Sequence, residues 1–230
     1  MRQSRTFVQA FLHNRLGMIG LVGVLLVIVM GIFAPLLAPY PKGYGAEILL
    51  APSQAHWLGT DGLGLDVFAE IAWGARTSLY VSAVAVGVAA VIGIPAGLIS
   101  GYKKGRLGAV IDSIIEIFLT LPVLPFMIVI AAIIGSSINN VAVVIGIFAW
   151  PSLARVTRNA TLKVSEMQYI EAAKCLGIPS RTIIFKHVLL NVFGPVMVNL
   201  TLIMATAVLS ESGLSFLGLG DPEVWSWGAI

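Results

Sequence analysis

Long apolar runs dominate this chain. The first, from Leu16 to Leu37, contains no charged residue. A helix needs about 20 residues to cross the hydrocarbon core of a bilayer, and it satisfies its own backbone hydrogen bonds there. The runs therefore predict an all-α, polytopic transmembrane helical bundle of about five spans. The remaining runs are 77–100, 109–134, 141–154 and 192–209.

The composition excludes an ordinary soluble domain. Hydrophobic residues make up 58% of the sequence and charged residues 11%, whereas soluble domains average about 25% charged residues. The net charge of +3 comes without rows of Lys and Arg interleaved with aromatic residues, so no nucleic-acid partner is predicted. The Walker A pattern, in which Gly and four further residues precede Gly-Lys-Ser/Thr, does not occur. We therefore expect this chain to bind no ATP and to be no enzyme.

Charged and proline-rich stretches divide the apolar runs into an ordered series. The N-terminal residues carry three arginines separated by apolar residues, which predicts an amphipathic segment on the cytoplasmic membrane surface. The first run exceeds the roughly 7–15 apolar residues of a signal peptide, so an uncleaved span is predicted. The predicted segments are an interfacial segment at 1–15, a first span at 16–37, an external loop at 38–76, a membrane core at 77–212 with a cytoplasmic loop at 155–191, and an external stretch at 213–230.

Candidate metal and disulfide chemistry is sparse. His56, Asp61 and Asp66 share the external loop, but one histidine and two aspartates at loose spacing form a weak metal pattern. Caps and turns suit these side chains better, so no metal site is predicted. The one cysteine, Cys175, cannot form an internal disulfide and is expected to pack as a small apolar residue.

Three glycines form a ridge along the second span. Gly93, Gly97 and Gly101 stand four residues apart, a spacing that lets a neighbouring helix approach closely. That helix can belong to this chain or to another subunit, and the spacing does not distinguish the two.

Two acids begin the third span. Asp112 and Glu116 lie one turn apart and could form a proton or cation relay. Helix capping and ion pairing are predicted instead, because acids are favoured near a helix N-terminus. The expected partners are Lys103, Lys104 and Arg106.

Two prolines interrupt the same span. Pro122 and Pro125 free backbone carbonyls, which the membrane tolerates only where neighbouring protein or a wet cavity satisfies them. We expect a kink at these prolines beside a polar path through the bilayer.

A polar stretch at 155–191 separates the fourth and fifth runs and is too long for a simple connector. Gly177 followed by Pro179 predicts a left-handed helix stop and a restart, hence two short helices with a hinge. The first helix carries apolar residues at every third position, which predicts an apolar face. These residues are Met167, Ile170, Ala173 and Leu176.

The tripeptide Glu171-Ala172-Ala173 lies in the first of these short helices. By itself it fits any solvated surface helix, but its place between two membrane runs favours a docking role. Small side chains let another protein approach the backbone. Close docking and the hinge are assigned to Ala172, Ala173 and Gly177, and polar contacts to Glu171, Lys174 and Arg181.

Basic residues are distributed asymmetrically about the predicted spans. With the N-terminus inside, twelve of the Lys and Arg residues fall on the cytoplasmic side and only Lys42 and Arg76 fall outside. This asymmetry satisfies the positive-inside rule. It predicts a multi-pass protein with a cytoplasmic N-terminus and places the 155–191 loop inside the cell.

Three blocks of sequence resemble one protein family. They run from His56 to Leu79, from Glu171 to Gly177 and from Glu211 to Gly228. They are similar to the inner-membrane permease subunits of ABC importers, in the dipeptide, oligopeptide or nickel branch. The resemblance implies a bacterial-type inner (plasma) membrane and half of a translocation pathway for peptides or similar small solutes, with the two prolines beside it.

The resemblance also implies partners. These are a second permease subunit in a heterodimer, two ATPase subunits that carry ATP and Mg, an external substrate-binding protein and the lipid bilayer. Closure of the ATPase subunits would push the loop around Glu171 to Gly177 and switch the spans between inward-open and outward-open states. Family members continue into a sixth span, which this sequence lacks as either a truncated product or a natural short variant.

The sequence departs from the family pattern at two positions, and two other functions suit it less well. Leu65 stands where the family has Arg, and Leu190 stands where it has Pro, which predicts a softer bend into the fifth span. An ion-coupled secondary transporter would place ionisable groups near mid-bilayer, and the interiors of spans one, two, four and five contain none. An intramembrane enzyme is disfavoured because all three histidines fall outside the apolar runs.

Overall fold

The computed structural model describes residues 11–43, 45, 47–103 and 105–230. Over these residues the secondary structure is helical apart from one isolated bridge between Thr60 and Asp66, which confirms the all-α prediction. The helices are α1 (Arg15–Leu37), α2 (Val67–Tyr102), α3 (Arg106–Thr120), α4 (Val123–Ile134), α5 (Ile138–Ser165), α6 (Gln168–Cys175), α7 (Ser180–Ile183), a π-helical turn (Ile184–Val188) and α8 (Leu189–Phe216).

Four of the described helices are long and apolar enough to cross a membrane. They are α1, α2, α5 and the continuous helix Ser180–Phe216 that contains α7, the π-helical turn and α8. A fifth crossing results if α3 and α4 count as one span, although the chain bends by 88° between them. The predicted polytopic bundle of about five spans is thereby confirmed.

The chain divides into two compact units, of which the first comprises Met1–Leu79 and Val224–Ile230. Its α1 is exposed along most of its length and buries only Gly31 and Ala34, as expected of a helix surrounded by lipid. A Cβ on Gly31 would lie 3.2 Å from Cα of Arg76, so the missing side chain permits close helix contact. The predicted interfacial segment at 1–15 lies mostly outside the described residues.

Hydrogen bonds that involve Asp61, Asp66 and His56 stabilise the fold of the external loop. Asp61 accepts from the N–H groups of Leu63 and Leu65 at 2.9 and 2.7 Å. Asp66 caps the start of α2 by accepting from the next turn, and its second oxygen lies 2.8 Å from Nδ1 of His56. The acids that the sequence offered as metal ligands therefore serve turns and caps.

Two tryptophans tie the segment 224–230 to this first unit. Trp225 donates from its indole N–H to the carbonyl of Pro41 at 2.9 Å. Trp227 donates likewise to the carbonyl of Ile71 at 3.1 Å. The carboxyl end of the chain therefore helps to fix the external loop beside the start of α2.

The second unit, Tyr80–Glu223, is built around α5, which buries half of its residues and packs most extensively on α8. The glycine ridge of α2 also lies against α5. A Cβ on Gly93 would lie 2.8 Å from the carbonyl oxygen of Trp150, and one on Gly97 would lie 2.5 Å from that of Ala154. Gly101 makes the next such contact along the helix. The spacing allowed a neighbouring helix from this chain or from another subunit. The structure shows the ridge packed against a helix of this chain.

Helix α5 extends about three turns further than its apolar run, reaching Ser165. The extension buries Thr157, Thr161 and Ser165, which recur every four residues. Cβ of Thr157 would lie 2.5 Å from a Cβ on Gly97, so the polar stripe continues the contact with the glycine ridge. Packing against α2 thus extends the helix into the stretch that the sequence assigned to the loop.

The entry into α8 is helical throughout. The π-helical turn Ile184–Val188 joins α7 to α8, and Leu190 lies in the first turn of α8 with an exposed side chain. A proline at 190 would have removed a backbone donor and favoured a sharper bend. The softer bend predicted from Leu190 agrees with this continuous helix.

Candidate functional site

We call residues 166–185, which follow α5, the candidate docking loop. Its first helix, α6, is anchored by Ile170 and Ala173, which are 0% and 8% exposed. Both belong to a buried cluster that also contains Ile183 and Val188 from the following helical turns. The loop is therefore held against the rest of the second unit by its buried apolar residues.

The turn after α6 has the geometry that its glycine predicts. Gly177 adopts φ +75°, and its N–H donates to the carbonyl of Lys174 at 3.0 Å. The N–H of Ile178 donates to the carbonyl of Ala173 at 3.1 Å. These are the two bonds of a Schellman cap. Pro179 then precedes the first residue of α7, so the predicted stop and restart are both present.

The exposed surface of the loop carries large apolar side chains. Leu176 is 79% exposed and Phe185 is 63% exposed, and Met167 and Tyr169 are exposed as well. These exposed apolar side chains lie outside the apolar runs of the sequence, so they are candidate contacts for another molecule. We call these four residues the apolar docking face.

The structure separates the predicted docking residues into outer and inner positions. Ala173 faces inward, as described above, and contributes packing. Lys174 places its ammonium group 5.2 Å from the centre of the Tyr102 ring, which ties α6 to the end of α2 through a cation–π contact. The predicted docking residues on the exposed surface are Glu171, Ala172, Lys174, Gly177 and Arg181.

Cys175 is exposed at the end of α6, so the expectation that it packs as a small apolar residue was wrong. It follows the buried Ala173 by two positions, and a separation of two residues turns a side chain by about 200° around a helix. That rotation carries Cys175 to the outer side of α6.

Two ion pairs join α3 to α5. Asp112 Oδ1 lies 2.8 Å from Nε of Arg158, in a contact too poorly aligned for a hydrogen bond. Glu116 Oε1 lies 3.4 Å from Nη2 of Arg155 and accepts a hydrogen bond from it. Of the partners expected for these acids, Lys104 lies outside the described residues, and the ion pairs that the structure shows are with arginines of α5. Both acids lie on the side of α3 that packs on α5.

The interruption of the third span is a sharp break. Leu121 is extended, with φ −69° and ψ 140°, and Pro122 is the N-cap of α4. Pro125 lies in the first turn of α4, where its missing N–H has no intrahelical partner to lose. The two prolines therefore delimit the 88° bend between α3 and α4.

Comparisons with known proteins give consistent results. A family model described as the inner membrane component of binding-protein-dependent transport systems matches residues 93–226. A second, described as the N-terminal TM domain of oligopeptide transport permease C, matches residues 3–52.

Curated relatives match nearly the whole chain. The oligopeptide transport system permease protein OppC of Bacillus subtilis is 34% identical over 96% of this chain and 73% of its own length. The dipeptide permease DppC of the same organism is 36% identical over 94% and 69%. The glutathione transport permease GsiD of Pectobacterium atrosepticum is 35% identical over 98% and 76%.

Among solved structures, the inward-facing MetNI methionine ABC transporter is similar in fold. The match has a TM-score of 0.58 and 23% identity, and it covers 67% of this chain and 77% of that chain. At this identity the likeness concerns the fold of the membrane helices.

Proposed function

Since this chain belongs to the family of inner membrane components of binding-protein-dependent transport systems, we propose that its docking loop is the site at which an ATPase subunit drives it. The chain is a permease subunit of an ABC importer. Its relatives are named for oligopeptides, dipeptides and glutathione. We propose peptides or similar small solutes as its substrates, with specificity determined largely by an external binding protein.

The observation that carries the docking proposal is the two-sided construction of α6. Ile170 is fully buried, whereas Leu176 is 79% exposed. A helix that is anchored on one side and exposes an apolar residue at its end can transmit a displacement, because its buried face moves together with the helices against which it packs. An apolar groove on an ATPase subunit would cover the apolar docking face.

The proposed assembly has the composition that the family implies. A second permease subunit completes the pathway in a heterodimer, two ATPase subunits bind ATP and Mg, and an external binding protein delivers the solute. The chain lies in a bacterial-type inner membrane with its N-terminus in the cytoplasm. The twelve-to-two distribution of basic residues supports this orientation.

The proposed mechanism uses rigid elements and one break. Closure of the ATPase subunits displaces the docking loop. Helix α5 moves with the loop because α5 and α6 share one buried apolar cluster. The break at Leu121 and Pro122 lets α3 and α4 change their mutual angle during the switch between inward-open and outward-open states. Pro122 and Pro125 thereby lie beside the solute path.

Energy coupling distinguishes this proposal from its rival, an ion-coupled secondary transporter. With the complete importer in proteoliposomes, uptake of a labelled dipeptide is expected to require ATP inside the ATPase-facing compartment. A proton ionophore at constant ATP should leave uptake unchanged, because no ion gradient enters the cycle. Uptake abolished by the ionophore under constant ATP would favour the secondary transporter. A Walker A lysine variant of the ATPase is the matched control and should abolish uptake.

A further inference from the structure

Two ion pairs cross from α3 to α5 as neighbouring rungs. We call Asp112 with Arg158 the inner rung and Glu116 with Arg155 the outer rung, and both together the ion-pair ladder. The acids are four residues apart on α3 and the arginines three apart on α5, so each set shares one helix face. The acid that comes earlier in α3 pairs with the arginine that comes later in α5. The two pairs therefore fix the register of the helices as well as their proximity.

The ladder differs from an ordinary stabilising ion pair. The side chains of the inner rung are 27% and 26% exposed, and those of the outer rung are 44% and 61% exposed. Ion pairs as exposed as the outer rung contribute little to folding stability. Each acid lies beside an arginine, an arrangement that favours ion pairing over the proton relay that the spacing of the acids first suggested.

The position of the ladder connects two functional parts of the chain. On one side, α5 passes from Arg155 to Ser165 and enters the docking loop. On the other side, α3 runs from the ladder to Thr120 and then reaches the break at Leu121 and Pro122. The described contacts between α3 and α5 also include apolar packing of Phe118 on Trp150, and the ladder adds directional charge pairs to it.

We propose that the four ladder residues are positioning residues that carry displacement of the docking loop to the break between α3 and α4. This inference rests on the proposed function, because it needs an ATPase subunit to displace the loop. Movement of α5 draws α3 along through both rungs, and the change of angle is taken up at the break. Without the ladder, α5 would slide past α3, and ATP would be hydrolysed without a complete switch of the pathway.

Neutral variants test the ladder in the complete importer. Asp112→Asn and Arg158→Gln remove the charges of the inner rung, and Lys163→Gln on α5 is the matched control outside the ladder. Three quantities are measured in proteoliposomes: retention of the ATPase subunit, ATP hydrolysis and dipeptide uptake. We expect uptake per ATP to fall about tenfold in both ladder variants, with retention and hydrolysis unchanged, and no change in the control.

A charge swap at the more exposed rung separates positioning from local stability. Glu116→Arg with Arg155→Glu should recover the uptake per ATP that either single change lowers. An unchanged ratio in Asp112→Asn, or a ratio that stays low in the swapped pair, would overturn the inference. A wild-type chain that retains no ATPase subunit would instead contradict the proposed function itself.

Discussion

Replacing Gly97 with valine is expected to separate α2 from α5 and to destabilise the second unit. A Cβ at this position would lie 2.5 Å from the carbonyl oxygen of Ala154 and 2.5 Å from Cβ of Thr157. Neither atom can move away alone, since one is backbone and the other is attached directly to it. Overpacking of this kind costs about 1–3 kcal/mol or more, and the branched side chain adds two further methyl groups.

The control for this change lies on the same helix. Gly87 is exposed, and no described atom lies within 4 Å of a Cβ built there. In a thermal unfolding series in detergent, Gly97→Val should lower the midpoint and the yield of monodisperse protein, whereas Gly87→Val should leave both near wild type. Equal effects of the two substitutions would show that the glycine ridge does not seat on α5.

Replacing Leu176 with arginine is expected to abolish binding of the ATPase subunit while the permease stays folded. The side chain is 79% exposed, and its backbone N–H already donates within α6 to Ala172. The substitution therefore changes the surface and leaves the anchor intact. Removal of a central apolar contact at an interface costs 2 kcal/mol or more, roughly a 30-fold loss of affinity, and a desolvated charge adds to that loss.

Two further variants give the docking experiment its specificity. Leu176→Met preserves an apolar side chain and should bind the ATPase subunit like wild type. Ala173→Arg places a charge at a position that is 8% exposed. It should therefore lower the thermal midpoint of the permease itself, whether or not the ATPase subunit is present. Co-purification after detergent extraction measures binding, and normal binding by Leu176→Arg would exclude the apolar docking face as the contact.

Much of the architecture was predictable because the bilayer restricts the choices. Apolar runs such as 16–37 must be helical in lipid, and the structure has α1 there. The stop at Gly177 was equally readable, because a left-handed residue after a helix strongly favours glycine. These signals are local, so the sequence carries them without knowledge of the tertiary contacts.

The details of the docking loop depended on contacts that spacing alone does not give. Residues three apart are offset by about 60° around a helix, so a series of four such positions turns through half a circle. The middle members, Ile170 and Ala173, are buried, whereas the end members, Met167 and Leu176, are exposed. The apolar docking face was therefore missed as a surface, although two of its residues, Met167 and Leu176, had been counted with the buried pair as one apolar face.

The ion-pair ladder was missed for a different reason. The sequence placed Asp112 near basic residues along the chain, and it did not indicate the ion pair with Arg158 that the fold forms. Such pairs depend on which helices pack together, here α3 on α5. The spacings of acids at 112 and 116 and arginines at 155 and 158 are compatible with a ladder, yet they do not specify it.

Cys175, the one cysteine of the chain, is exposed in the docking loop and offers the most direct test of ATPase docking there. A membrane-impermeant maleimide is applied to vesicles of known sidedness, with and without the ATPase subunits of the importer. We predict labelling from the cytoplasmic side only, and strong protection when the ATPase subunits are bound. Labelling from the external side, or labelling at the same rate with the ATPase subunits present, would contradict the assignment of this loop as the docking site.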